Sequence, residues 1–317
     1  MVMLEYLPSD RHAFFSSLLW IIDSLVALGG VVYFVFLSKN WLWFVLIGYV
    51  LTAFGMVGSL FIPETPKYLM KVGRVAEFER VMNKIAGLNG NSVAFDDGSF
   101  DDIVKLQQEA RDRKDEEEEK VSSEHSDQVT VDSSVLRYLK DKTVARNLII
   151  LLVVWPARSF DYYLSSFLLK YLPGNVHVNT FVTYGGELIS YAVSGWFFNK
   201  FTMKQNLLLF LSIAMAGGLS TLFYGLENPN WLLVVFIFVM RFGMSAASNV
   251  CWIGVPKLFP TLFAVTALGI VNVVAKVMNI AVPVVNELAM PTPMIVYCLV
   301  AGLALAASLC LKDQRYR

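Results

Sequence analysis

Residues 63–81 read "PETPKYLMKVGRVAEFERV" and follow directly on a long apolar run. Pro63 and Pro66 interrupt helix formation, because proline lacks the backbone donor and clashes with the preceding turn. Lys67, Lys71 and Arg74 then bring positive charge to the point where the chain leaves the apolar run. Such charge is favoured at the cytoplasmic surface of a membrane. From Val75 to Ile85 apolar residues recur at helical spacing, which predicts a short amphipathic helix lying on that surface. The stretch therefore reads as the exit of a membrane span.

The rest of the chain agrees. Its 317 residues are 56% hydrophobic and 16% charged, whereas a soluble domain averages about 25% charged. A bilayer core takes about 20 apolar residues per helix, and eight runs qualify: 13–37, 41–62, 147–171, 178–198, 205–225, 231–255, 262–286 and 292–311. The third and fourth carry charge. The runs are long and continuous, unlike the short alternating strands of a barrel. The expected fold is an all-α membrane protein with eight transmembrane helices. Its expected parts are a two-helix segment (1–62), a cytoplasmic-side loop (63–146) and a six-helix bundle (147–317). In the loop, the acidic run Glu116 to Glu119 reads as a solvated linker and 133–142 as a second surface helix.

Eight spans put both termini on one side. That side holds Arg11, the 63–146 segment, Lys200, Lys204, Lys257 and the tail "KDQRYR"; the other holds little beyond Lys39 and Lys170. The positive-inside bias places both ends at the cytoplasmic face. A net charge of zero gives no sign of nucleic acid. Cys251, Cys298 and Cys310 have no metal-ligand spacing and the three histidines lie far apart, so no metal or other cofactor is expected. No strand–glycine–helix context for a nucleotide and no nucleophile–base set is present, which argues against an enzyme.

The motif P-E-T-P-K-Y-L…G-R-x-x-E, carried by Pro63, Glu64, Pro66, Lys67, Gly73, Arg74 and Glu77, resembles a signature of the major facilitator superfamily. It is typical of sugar porters and of the organic-ion and synaptic-vesicle-protein-like branch, where it follows the sixth of twelve helices. Upstream, "EYLPSDRH" resembles the family's loop between helices four and five through Glu5 and Pro8, with Arg11 one place early. Downstream, "VPKLFPTLFAVTALG" resembles the loop between helices ten and eleven through Pro256, Pro260, Thr261 and Gly269. Lys257 stands there in place of an acid and Ala264 in place of an arginine. "AKVMNIAVP" is similar to the eleventh-helix pattern, with Lys276 for arginine and Pro283 retained. "GWFFNKFTMK" keeps Gly195, Lys200 and Lys204 of a further loop motif.

The resemblance implies an incomplete major facilitator fold: helices five to twelve, with a complete C-terminal six-helix bundle and the first four helices absent. It implies a secondary transporter moving a small organic, ionic solute across the lipid bilayer by alternating access. Another protein chain, a second copy or an upstream segment would cover the missing helices. The alternative is a transport-inactive, transporter-derived structural or interaction subunit of a membrane complex.

Polar residues within spans are costly and face cavities or partners. Arg158, Asp161 and Tyr162 share one helix face; Tyr184 and Tyr191 flank Glu187; Arg241, Ser245, Ser248, Asn249 and Trp252 form a stripe; Lys276 stands with Asn272 and Asn279. In the resembling family these four helices line the central cavity. Arg158, Asp161, Tyr162, Tyr184, Glu187, Arg241, Asn249, Lys276 and Asn279 are thus the substrate-cavity candidates. Two readings stay open for the charged ones: a solute or proton pathway, or structural pairing, above all Arg158 with Asp161. The gating and loop candidates are Glu5, Pro8, Arg11, Pro63, Glu64, Pro66, Lys67, Gly73, Arg74, Lys257, Pro260 and Thr261. Pro156 and Pro283 are expected to kink their helices, and Gly185–Gly186 and Gly217–Gly218 to permit close helix packing.

Overall fold

Nearly all of the described backbone is helical, and no strand occurs among the described residues. The computed structural model describes residues 11–72, 74–90, 141–169, 175–225, 231–259 and 261–312. The acidic linker and most of the expected second surface helix lie outside them.

The chain divides into two units, Met1–Arg11 with Val45–Thr130, and His12–Phe44 with Val131–Arg317. The larger begins with α1 (His12–Val32), which runs through a π-helical turn (Tyr33–Leu37) towards α2 (Trp41–Ser59). Its bundle consists of α5 (Lys142–Leu168), α6 (Val176–Lys200), α7 (Met203–Tyr224), α8 (Trp231–Leu258), α9 (Thr261–Asn279), the short α10 (Ala281–Asn286) and α11 (Thr292–Leu309). α5 packs against α8, α9, α10 and α11, while α8 packs against α6 and α7 and α1 lies along α6.

Local chemistry sets these boundaries. Asp141 caps α5 by accepting from the Thr143 N–H at 2.8 Å, and Asn175 caps α6 through the His177 N–H at 2.9 Å. α7 starts at a reciprocal capping box of Thr202 and Gln205, directly after α6 ends. Gly225, at φ 81°, closes α7 in a conformation that disfavours a side chain. α5 passes through Pro156 unbroken. The 262–286 run does break, at Ile280, and Pro283 becomes the third residue of α10. A proline ring clashes with the carbonyl four residues back; here that residue is Asn279, where α9 stops.

Among the described residues, seven helical segments are long and apolar enough to cross a membrane: His12–Leu37, Trp41–Ser59, Lys142–Leu168, Met203–Tyr224, Trp231–Leu258, Phe263–Asn286 and Thr292–Leu309. The fourth of the eight expected runs differs. It folds as α6, a helix of 25 residues, but falls short in apolar character. The cause is an inward stripe of Asn179, Thr183, Glu187, Ser190, Tyr191 and Ser194, all buried. A helix whose polar face is satisfied inside a bundle does not read as uniformly apolar.

Packing rests on small residues, as expected where lipid tails remove the hydrophobic drive between helices. A side chain on Gly243 of α8 would run into the α7 backbone at Ala214 and meet the Phe210 carbonyl at 2.6 Å. Reciprocally, one on Gly217 of α7 would run into Met240 of α8, and Gly218 lies against the Tyr297 ring of α11. Gly186 abuts Phe238, whereas Gly185 faces open space. At the far end of the bundle the Asn147 side chain bonds both the carbonyl (2.9 Å) and the N–H (3.2 Å) of Lys312, tying the start of α5 to the residue beyond α11.

The smaller unit contains most of α2, which buries no residue, then α3 (Pro66–Val72) and α4 (Val75–Leu88). α2 stops at Ser59, ahead of Pro63, and Pro66 occupies the first position of α3, where its missing N–H is harmless. Leu69, Phe78 and Val81 form a small core backed by Met70, Met82 and Ile85. Arg74 sits between Glu64 at 3.7 Å and Glu77 at 3.6 Å. All three are half exposed, so these pairs orient the turn more than they stabilise it.

Replacing Gly243 with valine should lower the unfolding free energy in detergent by about 1–3 kcal/mol. Gly185→Ala should leave the thermal midpoint within experimental error. Equal effects of the two changes would contradict the close α7–α8 approach.

Candidate functional site

Arg241 lies mid-way along α8 and is almost wholly buried. Nothing in an apolar helix satisfies a guanidinium, so its partners come from neighbouring helices. Nη1 donates to the Tyr162 carbonyl at 2.7 Å, to Ser165 Oγ at 2.7 Å and to Ser166 Oγ at 2.9 Å, all on α5. Both serine hydroxyls in turn donate to the Tyr162 carbonyl. Nη2 forms a buried ion pair with Glu187 Oε1 on α6. The guanidinium carbon stands 4.2 Å over the Tyr162 ring, whose hydroxyl donates to Glu187 Oε2 at 3.4 Å. Tyr184, one turn from Glu187, and Asp23 of α1 lie within electrostatic reach of that carboxylate. Three helices thus converge on one charge pair.

Two further polar nodes flank it. Asn249 Nδ2 donates to Ser17 Oγ at 2.8 Å, Ser194 Oγ at 2.9 Å and the Tyr191 carbonyl at 3.3 Å, joining α8 to α1 and α6. α1 comes this close because Ser17 occupies the place where Gly195 lacks a side chain. The second node is aromatic. Tyr191, Trp20, Trp252 and Trp155 follow one another at centroid separations of 5.8, 5.8 and 4.9 Å. Arg158 caps the series 4.2 Å over Trp155, beside the Cys251 thiol. Trp155 Nε1 donates to Asn272 Oδ1 at 3.1 Å, and Asn279 Nδ2 donates to Ser159 Oγ at 2.9 Å, fixing α9 on α5.

The nine cavity candidates therefore separate. Tyr162, Tyr184, Glu187 and Arg241 share one node, and Asn249 lies two turns along α8. Arg158 lies over Trp155 beside Cys251 of α8, and Asn279 belongs to the α5–α9 side. Lys276 is exposed, its ammonium 5.5 Å from the Tyr163 ring. Asp161 is fully buried beside Tyr297 and Cys298 of α11, with neither carboxylate oxygen partnered among the described residues. The expected Arg158–Asp161 pairing does not occur among the described residues: the two side chains turn to different neighbours although they stand one turn apart. Ser165 and Ser166 were missed as Arg241 ligands, yet their spacing of three and four from Tyr162 marks that face. Ser17 has no such signal, being 232 residues from Asn249.

Of the loop candidates, Glu5, Pro8, Gly73 and Pro260 lie outside the described residues, as do the side chains of Lys67 and Thr261. Arg11 is exposed. Lys257 holds its ammonium 4.7 Å from the Phe198 ring, and Ala264 is buried. That contact puts Lys257 at the same end of the bundle as Lys200 and Lys204, which bracket the α6–α7 turn.

Arg241→Gln leaves Glu187 as a buried charge without its counter-ion, and should cost about 3–5 kcal/mol of unfolding free energy. The Glu187→Gln/Arg241→Gln double variant, measured in the same detergent, should recover a large part of that loss. Strictly additive effects would show that the two charges do not depend on each other.

Comparison with known proteins gives the same picture as the helices. The family model "Sugar (and other) transporter" matches residues 13–311. Solute carrier family 22 member 4 of Mus musculus is 24% identical over 224 residues, covering 70% of this chain and 37% of that protein. Organic cation/carnitine transporter 2 of Homo sapiens is 24% identical over 231 residues, 70% of this chain and 36% of its own length. The beta-alanine transporter of Drosophila melanogaster is 24% identical over 259 residues, 81% of this chain and 40% of its own. The chain spans little more than a third of the length of the first two relatives. With nearly its whole length matched by one family model, and with a bundle of apolar helices joined by buried polar nodes, the chain belongs to the sugar (and other) transporter family of the major facilitator superfamily, a family of membrane transporters.

Proposed function

We propose that this chain serves a secondary transporter of the major facilitator type, moving a small organic, ionic solute by alternating access. The observation that carries the proposal is the Arg241–Glu187–Tyr162 node. A buried ion pair holds strong, opposed charges inside the bundle without hydration, and an ionic solute of matching shape can replace either partner. An ammonium group competes for Glu187 and a carboxylate for Arg241. The relatives' names refer to organic cations, carnitine and beta-alanine; the last two carry both kinds of group. A solute that parts the pair makes different contacts in the two states, which is what shifting a conformational equilibrium requires. Alternating access rocks helix bundles about such a central site.

We further infer that both termini face the cytoplasm, since Arg11, Lys200, Lys204 and Lys257 fall on the side that the positive-inside bias assigns to it. Asp23 and Lys276 are exposed on helices long and apolar enough to cross a membrane. Charges so placed call for a wet cleft or further helices over them, and an upstream segment, another protein chain or a second copy would supply that cover.

A second reading rests on Lys257 and Ala264. Neither can make the acid–arginine latch that the related loop carries, and Lys257 instead packs on Phe198. This favours a transport-inactive subunit in a membrane assembly. Proteoliposomes with the purified chain separate the two. Uptake of labelled carnitine, beta-alanine or an organic cation, reduced about tenfold or more by Glu187→Gln (at least ~1.4 kcal/mol), supports transport. No uptake under any gradient, with the chain recovered in a stoichiometric complex, supports the subunit.

A further inference from the structure

We propose that Asp161 is a proton-binding site between α5 and α11, its carboxyl neutral while the two helices are packed and releasing its proton to water when they part. Asp161 is completely inaccessible, and neither of its oxygens accepts a hydrogen bond or meets a cation among the described residues. A carboxylate in that position would be bare, which a membrane-embedded bundle does not tolerate. A neutral carboxyl is tolerated, and it can donate its own hydrogen.

Every helix packed on α5 bears this out. From α11 come the Tyr297 hydroxyl, itself buried and unpartnered, and the Cys298 thiol, both uncharged groups. From α8 come Cys251, which lies beside Arg158, and Arg241, which is committed to Glu187, the two serines and the Tyr162 carbonyl. From α9 comes Lys276, which is exposed and directed to the Tyr163 ring. α10, "AVPVVN", has no titratable side chain. On α5 itself Arg158 is turned to Trp155 and Tyr162 to Glu187. Among the described residues no cation is paired with Asp161, and the two nearby guanidinium groups are turned to Trp155 and to Glu187.

Ionisation is open to Asp161 only where water reaches it, so alkaline pH draws the population towards the parted arrangement and acid favours the packed one. The step balances simply: the carboxyl loses one proton to solvent and gains one negative charge. Movement of α5 against α11 is thereby tied to proton release, whatever solute the Glu187–Arg241 node handles.

The test needs no transport. Infrared spectra of the whole purified chain at about pH 7, where exposed carboxyls are ionised, should show the C=O stretch of a protonated carboxylic acid. The wild-type thermal midpoint should fall as pH rises, and Asp161→Asn should abolish both that fall and the band. If Asp161→Asn does not fold, Tyr297→Phe takes its place: removing the neighbouring hydroxyl should shift the band. A spectrum without the band overturns the proposal. So does a band unchanged by Asp161→Asn, or, where that variant is unfolded, a band unmoved by Tyr297→Phe.

Discussion

A permanent positive charge in the middle of α8 is the constraint from which the bundle is built. An arginine cannot shed its proton to escape a dry environment, so Arg241 must find oxygen on other helices. It finds three on α5 and a carboxylate on α6, and this fixes the axial position of both. Glu187 in the α6 polar stripe, the paired serines of α5 and the Tyr162 ring beneath the guanidinium gather around that charge. Close approach between helices, by contrast, is governed by Gly217 and Gly243, where α7 and α8 meet backbone to backbone. One device sets register and the other sets distance.

The same division of labour holds along α8. Arg241 serves α5 and α6; two turns on, Asn249 serves α1 and α6. Such neutral bonds in membranes contribute only about 0.6 kcal/mol each on average, so Asn249 determines where α1 docks more than how tightly. The aromatic series from Tyr191 to Trp155 fills the space between these nodes with large flat side chains. Its end under Arg158 leaves that second arginine satisfied largely by a ring face.

Much of this was legible in the sequence. Apolar runs placed the helices, because the need to satisfy the backbone in hydrocarbon leaves few alternatives. Pro63 and Pro66 marked an end and a start. Arg241 and Glu187 stood out as charge where charge is expensive. What could not be read was partnership. Arg158, Asp161 and Tyr162 share a helix face by spacing, yet α5 is surrounded, and each residue turns to a different neighbour. Proximity along one helix favoured an Arg158–Asp161 pair; the pull of Trp155 and Cys251 on one side and the pocket at Tyr297 on the other won. The α6 run looked marginal for the reason the structure makes plain: its polar residues are interior.

The two embedded carboxyls show how environment divides one chemistry into two roles. Glu187 is held by Arg241 and by the Tyr162 hydroxyl, so its charge is matched, and in the proposed transporter it is the group that another ion would exchange with. Asp161 has no such company, and what it can exchange is a proton. Both lie within one turn or one helix of Tyr162, whose carbonyl binds Arg241 and whose hydroxyl binds Glu187. A displacement of α5 large enough to expose Asp161 must therefore also disturb the grip on Arg241. Coupling between an ion site and a proton site then needs no wire across the bundle. It needs only that one helix carry the backbone carbonyl of one and the side chain of the other at adjacent positions, as α5 does at Asp161 and Tyr162.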